Sequence, residues 1–181
     1  MIPALAFVAF GSNLGDPAAQ LRRAAGQLQQ LPQVSGFRGS SIYRSPAMGG
    51  PEQPDYCNAV AQIDWDGDAE ALLKALMALE SAAGRRRQPG LRNTPRTLDL
   101  DLLLFADQIL DLPQLQIPHP RMLQRAFVLV PLAELSPELV IPGHGSIGGY
   151  LPRVVDQVLE RLPGLRLGAD LRQPQTLPAE L

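Results

Sequence analysis

The chain predicts an α+β domain of the ferredoxin-like βαββαβ type: an antiparallel sheet with helices on one face, plus C-terminal additions. Two observations carry this. Short apolar or alternating runs and two capped amphipathic segments follow one another in the order strand, helix, strand, strand, helix, strand. A length of 181 residues with 45% hydrophobic content is enough for one core, and so for one domain.

Leu5 to Phe10 is short and apolar and runs into Gly11-Ser12-Asn13, which reads as a buried strand ending in a turn. Asp16-Pro17 offers an N-cap followed by proline at the first helical position. Leu21, Ala24, Leu28 and Leu31 keep helical spacing up to Pro32, so the first helix is predicted over 17–31. Two extended pieces follow, Phe37 to Tyr43 and Tyr56 to Trp65, separated by SPAMGGPEQPD, whose prolines and glycines forbid regular structure. Asp68 caps a second helix with Leu72, Leu73, Leu76 and Leu79 as its apolar stripe, ending near Gly84. A strand over 97–105 comes next. Beyond it lie a Pro-rich loop, a segment around Met122 to Leu135, and a helix predicted near 147–162 from Leu151, Val154, Val155 and Val158. The domain is set at residues 1–163, with 164–181 as a partly disordered tail.

No run of 18 apolar residues occurs, and MIPALAFVAFGSNLGD lacks the basic start and cleavage site of a signal peptide, so a soluble, cytoplasmic protein is expected. Cys57 is the single cysteine; it can form no internal disulfide and reads as core. A formal charge of −2 argues against a broad nucleic-acid surface. Positive charge is nevertheless concentrated: GRRRQPGLRNTPRT holds Arg85, Arg86, Arg87, Arg92 and Arg96 and no acid, while Lys74 is the only lysine. Guanidinium forks suit phosphate oxygens, although a solvated basic loop has the same composition.

In Leu98-Asp99-Leu100-Asp101-Leu102 the period of a strand puts both carboxylates on one face and the leucines on the other. Two like charges about 7 Å apart repel unless something positive lies between them. Mg²⁺ is the natural occupant, because it takes one or two carboxylates together with waters and substrate phosphates. An ordinary half-exposed strand would also carry such a pair. No GxxxxGK[ST] is present, so a P-loop is excluded.

The segments FVAFGSNLGDP, SIYRSPAMGGPEQPDYCNAV, PRTLDLDLLLF and IPHPRMLQRAFVLVPLAEL resemble, in order and spacing, those of the 6-hydroxymethyl-7,8-dihydropterin pyrophosphokinases, over most of residues 5–140. The resemblance implies a monomeric transferase whose partners are ATP and a hydroxymethyl-dihydropterin, with neither nucleic acid nor membrane. It implies that Asp99 and Asp101 hold two Mg²⁺ ions carried on the ATP phosphates, and that Arg85 and Arg96 join them in catalysis. Glu80, Arg85, Arg87, Arg92, Arg96, Leu102, His119 and Arg125 match or lie near positions that contact ATP, and Arg86 is left to solvent.

For the pterin, Tyr56 and Asn58 stand two apart on a strand and share a face, with Cys57 turned away. A ring can stack on a flat heterocycle while a carboxamide pairs with its amide-like edge. By resemblance Phe127 covers the opposite ring face, and the loop from Ser45 to Gly49, with Pro46 and Met48, completes the pocket. The chain departs from the family at Asn93, where an aromatic is frequent, and at Met77, Gln114, Gln116 and Pro120 around the expected adenine. The Arg-rich loop is expected to order over the triphosphate. A ferredoxin-like sheet that merely binds a ligand or RNA is the competing reading, but no RNP-type aromatics are visible. A nucleotidyl transferase would use the same paired aspartates and would release diphosphate in place of AMP.

Overall fold

The computed structural model describes residues 2–47, 53–84 and 95–168. Strand β1 (Ala4–Ser12) is central, flanked by β4 (Tyr56–Trp65) and β5 (Asp99–Phe105), all antiparallel. β2 (Val34–Gly39) and β3 (Ser41–Ser45) both pair with β4, so the single extended piece expected there is one strand path broken at Ser40. Ser40 Oγ accepts from Val60 N at 3.0 Å and donates to the Ser41 carbonyl, holding the kink.

Helix α1 (Pro17–Gln29) starts where the sequence predicts, with the Asp16 carboxylate accepting from Ala19 N at 3.0 Å. It buries Leu21, Ala24, Ala25 and Leu28, one stripe at helical spacing. α2 (Ala69–Ala82) is capped by Asp68 through Ala71 N at 2.7 Å and buries Ala69, Leu72, Leu76 and Glu80. Both helices pack on the face bearing Ala6, Val8, Phe10, Cys57, Leu100 and Leu102. Cys57 is buried there as expected, and burial raises the pKa of its thiol.

The opposite face is only partly open. A hairpin of β6 (Leu110–Leu112) and β7 (Leu115–Ile117) leads to a 3-10 turn at Met122–Gln124 and to α3 (Ala126–Leu135). α3 packs on Phe7, Val60 and Leu103 to form a second apolar cluster. Register shifts between Phe7 and Val8 so that β5 gains one residue, and both Leu103 and Leu104 turn toward α3. A second small hairpin follows, β8 (Val140–Ile141) with β9 (Gly145–Ser146).

The helix expected near 147–162 does not form. Two 3-10 turns, Ile147–Gly149 and Leu151–Val154, give way to β10 (Glu160–Arg166), which adds to the sheet beside β3. Gly148, Gly149 and Pro152 disfavour a regular helix, and the expected stripe is buried only in part: Val154 is buried, but Val155 and Val158 are 72% and 71% exposed. β10 crosses residue 163, where the sequence suggests the domain ends, and Leu167 beyond it is buried. Its docking requires Gly39: a Cβ at that position would stand 1.5 Å from the Leu167 carbonyl oxygen. Among the described residues no helix is long and apolar enough to cross a membrane.

Candidate active site

The site is built across three strands on the face opposite α1 and α2. Gly11 of β1 lies opposite Asn58 of β4 on one side and Asp99 of β5 on the other, and Ala9 lies opposite Asp101. A Cβ at Gly11 would be 3.7 Å from Asn58 Oδ1 and 3.8 Å from Asp99 Cβ. Glycine therefore leaves a hollow between a neutral side and a charged side. The resulting cavity, about 410 Å³, is walled by Ser45, Pro46, Tyr56 and Asn58 on the neutral side and by Arg96, Asp99 and Asp101 on the other. Arg121, Arg125 and Phe127 close it from the segment leading into α3.

On the neutral side Asn58 is 4% exposed, and its Nδ2 donates to Ser45 Oγ at 2.9 Å. That bond fixes the carboxamide while leaving its oxygen and one hydrogen for a ligand. On the charged side the Arg96 guanidinium pairs with Asp99. Burial by itself would lower the Arg96 pKa, but Asp99, the Tyr56 phenol and Asp101 outweigh it and raise the pKa. Arg125 is lowered, first by burial and then by Arg121, and its guanidinium lies 5.4 Å from the centre of the Phe127 ring.

A second hollow of about 260 Å³ adjoins the first at Asp101 and is lined by Leu73, Met77, Leu102, Gln114, Gln116 and His119. His119 Nδ1 accepts from Arg121 N at 3.2 Å, so in the neutral ring the proton sits on Nε2, 3.9 Å from Asp101 Oδ2. Burial lowers the His119 pKa against the opposing pull of Asp101. Gln114 and Gln116 turn their amides to Glu70 and Asp111 at 2.8 Å each.

Residues 7–137 match the model of the 7,8-dihydro-6-hydroxymethylpterin-pyrophosphokinase family. The chain belongs to that family. It is 44% identical over 158 residues to the 2-amino-4-hydroxy-6-hydroxymethyldihydropteridine pyrophosphokinase of Pseudomonas aeruginosa, covering 87% of this chain and 96% of the relative. The Haemophilus influenzae protein of the same name is 39% identical over 157 residues, covering 87% and 97%. Among solved structures, Plasmodium falciparum HPPK-DHPS wild type matches with a TM-score of 0.60 at 14% identity, over 84% of this chain and 41% of that one. This chain thus spans less than half the length of that solved chain, and the likeness speaks for the fold alone.

Most of the residues that sequence reasoning assigned to this pyrophosphokinase site come together. Ser45, Pro46, Tyr56, Asn58, Arg96, Asp99, Asp101, Arg125 and Phe127 line the main cavity, while Leu102 and His119 line the second hollow. Glu80 lines neither among the described residues. It is 2% exposed beneath β5, where its carboxylate accepts from Leu100 N at 2.8 Å between the two aspartates in sequence. Met48, Arg85, Arg86, Arg87, Arg92 and Asn93, and with them the loop expected to order over the triphosphate, lie outside the described residues.

Three contributors were missed. Arg121 lines the cavity and stands in the same proline-bounded turn as His119, which was the available signal. Gln53 also lines it, from a loop whose composition gave no hint. Asn13 is 2% exposed: its amide donates to Gln53 Oε1 and the Pro54 carbonyl, and its oxygen accepts from Arg96 N at 2.8 Å. One side chain thereby ties the approach to β4 to the approach to β5.

Proposed function

We propose that this chain transfers the pyrophosphoryl group of ATP to the hydroxymethyl oxygen of 6-hydroxymethyl-7,8-dihydropterin, releasing AMP, in folate synthesis. The observation that carries the reading is the continuity of one cavity from an aromatic and carboxamide wall to an arginine and aspartate wall, joined at Asp101 to a hollow of nucleoside size.

Asp99 and Asp101 offer hard oxygen donors on one strand face, and no third His, Cys, Asp or Glu joins them among the described residues. Two carboxylates without a full protein cage fit Mg²⁺ that keeps waters and phosphate oxygens. Two Mg²⁺ ions held there would offset phosphate charge and hold the attacking and leaving oxygens in line. The chain's own residues do the rest. Tyr56 and Phe127 take the two faces of the pterin ring and Asn58 its amide edge, which points the hydroxymethyl group at the aspartates. Arg96, Arg121 and Arg125 lie against the phosphates, with Arg85, Arg87 and Arg92 proposed beside them. Their guanidinium groups neutralise charge on the β- and γ-phosphates without a reorganising solvent. His119 and Leu102 border the nucleoside. The pterin hydroxyl releases its proton to solvent as its oxygen forms the new bond to the β-phosphorus, the bond from that phosphorus to the α–β bridging oxygen breaks, and AMP leaves with that oxygen. Catalysis is alignment and charge neutralisation, with no covalent enzyme intermediate. We extend the reading to a monomer acting in the cytoplasm on these two partners alone.

The test is to incubate the protein with ATP, the reduced pterin alcohol and Mg²⁺, and to follow the nucleotide product. AMP formation that stops on chelation of the metal is expected. Diphosphate release would overturn the reading in favour of nucleotidyl transfer.

A further inference from the structure

The segment that presents Arg125 and Phe127 is held from a part of the chain beyond the residues that the family model matches, 7–137. α3 begins at Ala126 with no side-chain cap from the residue that precedes it, Arg125. Gln157, between the last 3-10 turn and β10, takes that place. Its Oε1 accepts from Ala126 N at 2.9 Å, and its Nε2 donates to the Gln124 carbonyl at 2.8 Å. Those two backbone groups belong to the peptide units on either side of Arg125. One planar carboxamide therefore fixes both peptide planes, and with them the extended backbone of Arg125 at φ −125° and ψ 113°. Those angles set the direction of the Cα–Cβ bond from which Arg125 reaches the cavity that it lines. Gln157 is anchored in turn, because its own N–H donates to the Val154 carbonyl at 3.1 Å and Val154 is buried in the α3 cluster.

We infer that Gln157 is a positioning residue for substrate binding: it sets the aim of Arg125 toward the phosphate positions. An ordinary helix cap contributes to stability only, whereas a clamp on the peptides flanking a cavity arginine also sets ligand geometry. The inference rests on the proposed function in taking Arg125 as a phosphate contact.

The experiment is a double-mutant cycle in the full chain. Gln157→Met keeps side-chain length and removes both hydrogen bonds; Arg125→Ala removes the group it is inferred to aim. Parent, single and double variants are assayed for kcat and KM with both substrates, well below the lowest of their melting temperatures. A roughly tenfold fall in kcat/KM is expected for Gln157→Met in the parent background, and almost none in the Arg125→Ala background. Parental kcat/KM in Gln157→Met, or an equal loss in both backgrounds, would overturn the inference. If Gln157→Met does not fold, Gln157→Glu serves, since it keeps the acceptor for Ala126 N–H but loses the donor to Gln124; an intermediate loss is expected and parental kinetics would overturn the idea. If the parent forms no AMP, the proposed function fails. The same cycle, read by calorimetry as affinity for a non-hydrolysable ATP analogue with Mg²⁺, still decides the role of Gln157.

Discussion

Replacing Asn58 by alanine separates the neutral side of the cavity from the charged side. Asn58 is 4% exposed and gives one hydrogen bond, at 2.9 Å, to Ser45 Oγ, itself 5% exposed. Losing that bond should cost the fold about 1 kcal/mol. For a chain of this size that lowers Tm by roughly 2–4 °C. The loss to pterin binding is larger. The carboxamide oxygen and remaining hydrogen face the hollow above Gly11, and a ligand edge left without its partner there costs roughly 1–3 kcal/mol. This corresponds to about 5- to 150-fold weaker binding. ATP should be unaffected, because Asn58 does not line the second hollow and Gly11 separates it from Asp99. Calorimetry with each ligand, on the parent and on Asn58→Ala and Ser45→Ala, checks this. Ser45→Ala should show a smaller pterin loss, since it frees the carboxamide without deleting it. Equal losses of affinity for ATP and pterin in Asn58→Ala would refute the placement.

The two aspartates should part company in stability though not in activity. Asp99→Asn and Asp101→Asn should each lose turnover by orders of magnitude. Without metal, Asp101→Asn should melt no lower than the parent, while Asp99→Asn melts lower because Arg96 loses a charged contact in a pair whose side chains are only 25% and 20% exposed. Near-parental AMP production by both would sink the site. Tyr43 donates to Glu134 at 2.9 Å, and burial, then Glu134, raises its pKa from 10.0 to about 12. A raised pKa favours the neutral phenol in the folded state, so this stabilisation, roughly 3 kcal/mol, is present below pH 10 and lost as pH rises toward about 12. Denaturant unfolding should show that decline, and Tyr43→Phe should flatten it; an unchanged slope in the variant counts against the contact. Glu80→Ala should cost about 1.5–3 kcal/mol by leaving Leu100 N–H without its charged acceptor, and should lower kcat/KM through the shifted aspartates. Full stability with weakened ATP binding would instead make Glu80 a ligand contact.

The site was legible where chemistry and period coincide. Strand alternation alone put Asp99 beside Asp101 and Tyr56 beside Asn58, and cap residues at Asp16 and Asp68 fixed where both helices begin. Glu80 could have been recognised as buried, since it follows Leu76 by four positions on the same helical stripe. The C-terminal reading failed because Leu151, Val154, Val155 and Val158 mimic a helical stripe that glycines and prolines on both sides interrupt.

The sequence by itself determined the order of elements through β5, the starts of α1 and α2, the face each residue of those strands takes, and, through its motifs, the family. Those properties are set by interactions among residues within a few positions of one another. Only the tertiary structure decided that Gly11 lies between Asn58 and Asp99, that Asn13 ties Gln53 and Pro54 to Arg96, which stands 83 residues from it, and that Gln157 reaches back to the peptides around Arg125. Such contacts depend on sheet register and on which loops the packed helices bring together. A two-residue slip in pairing would keep every side chain on its own face yet bring different residues beside Gly11, and alternation within one strand does not choose between the two.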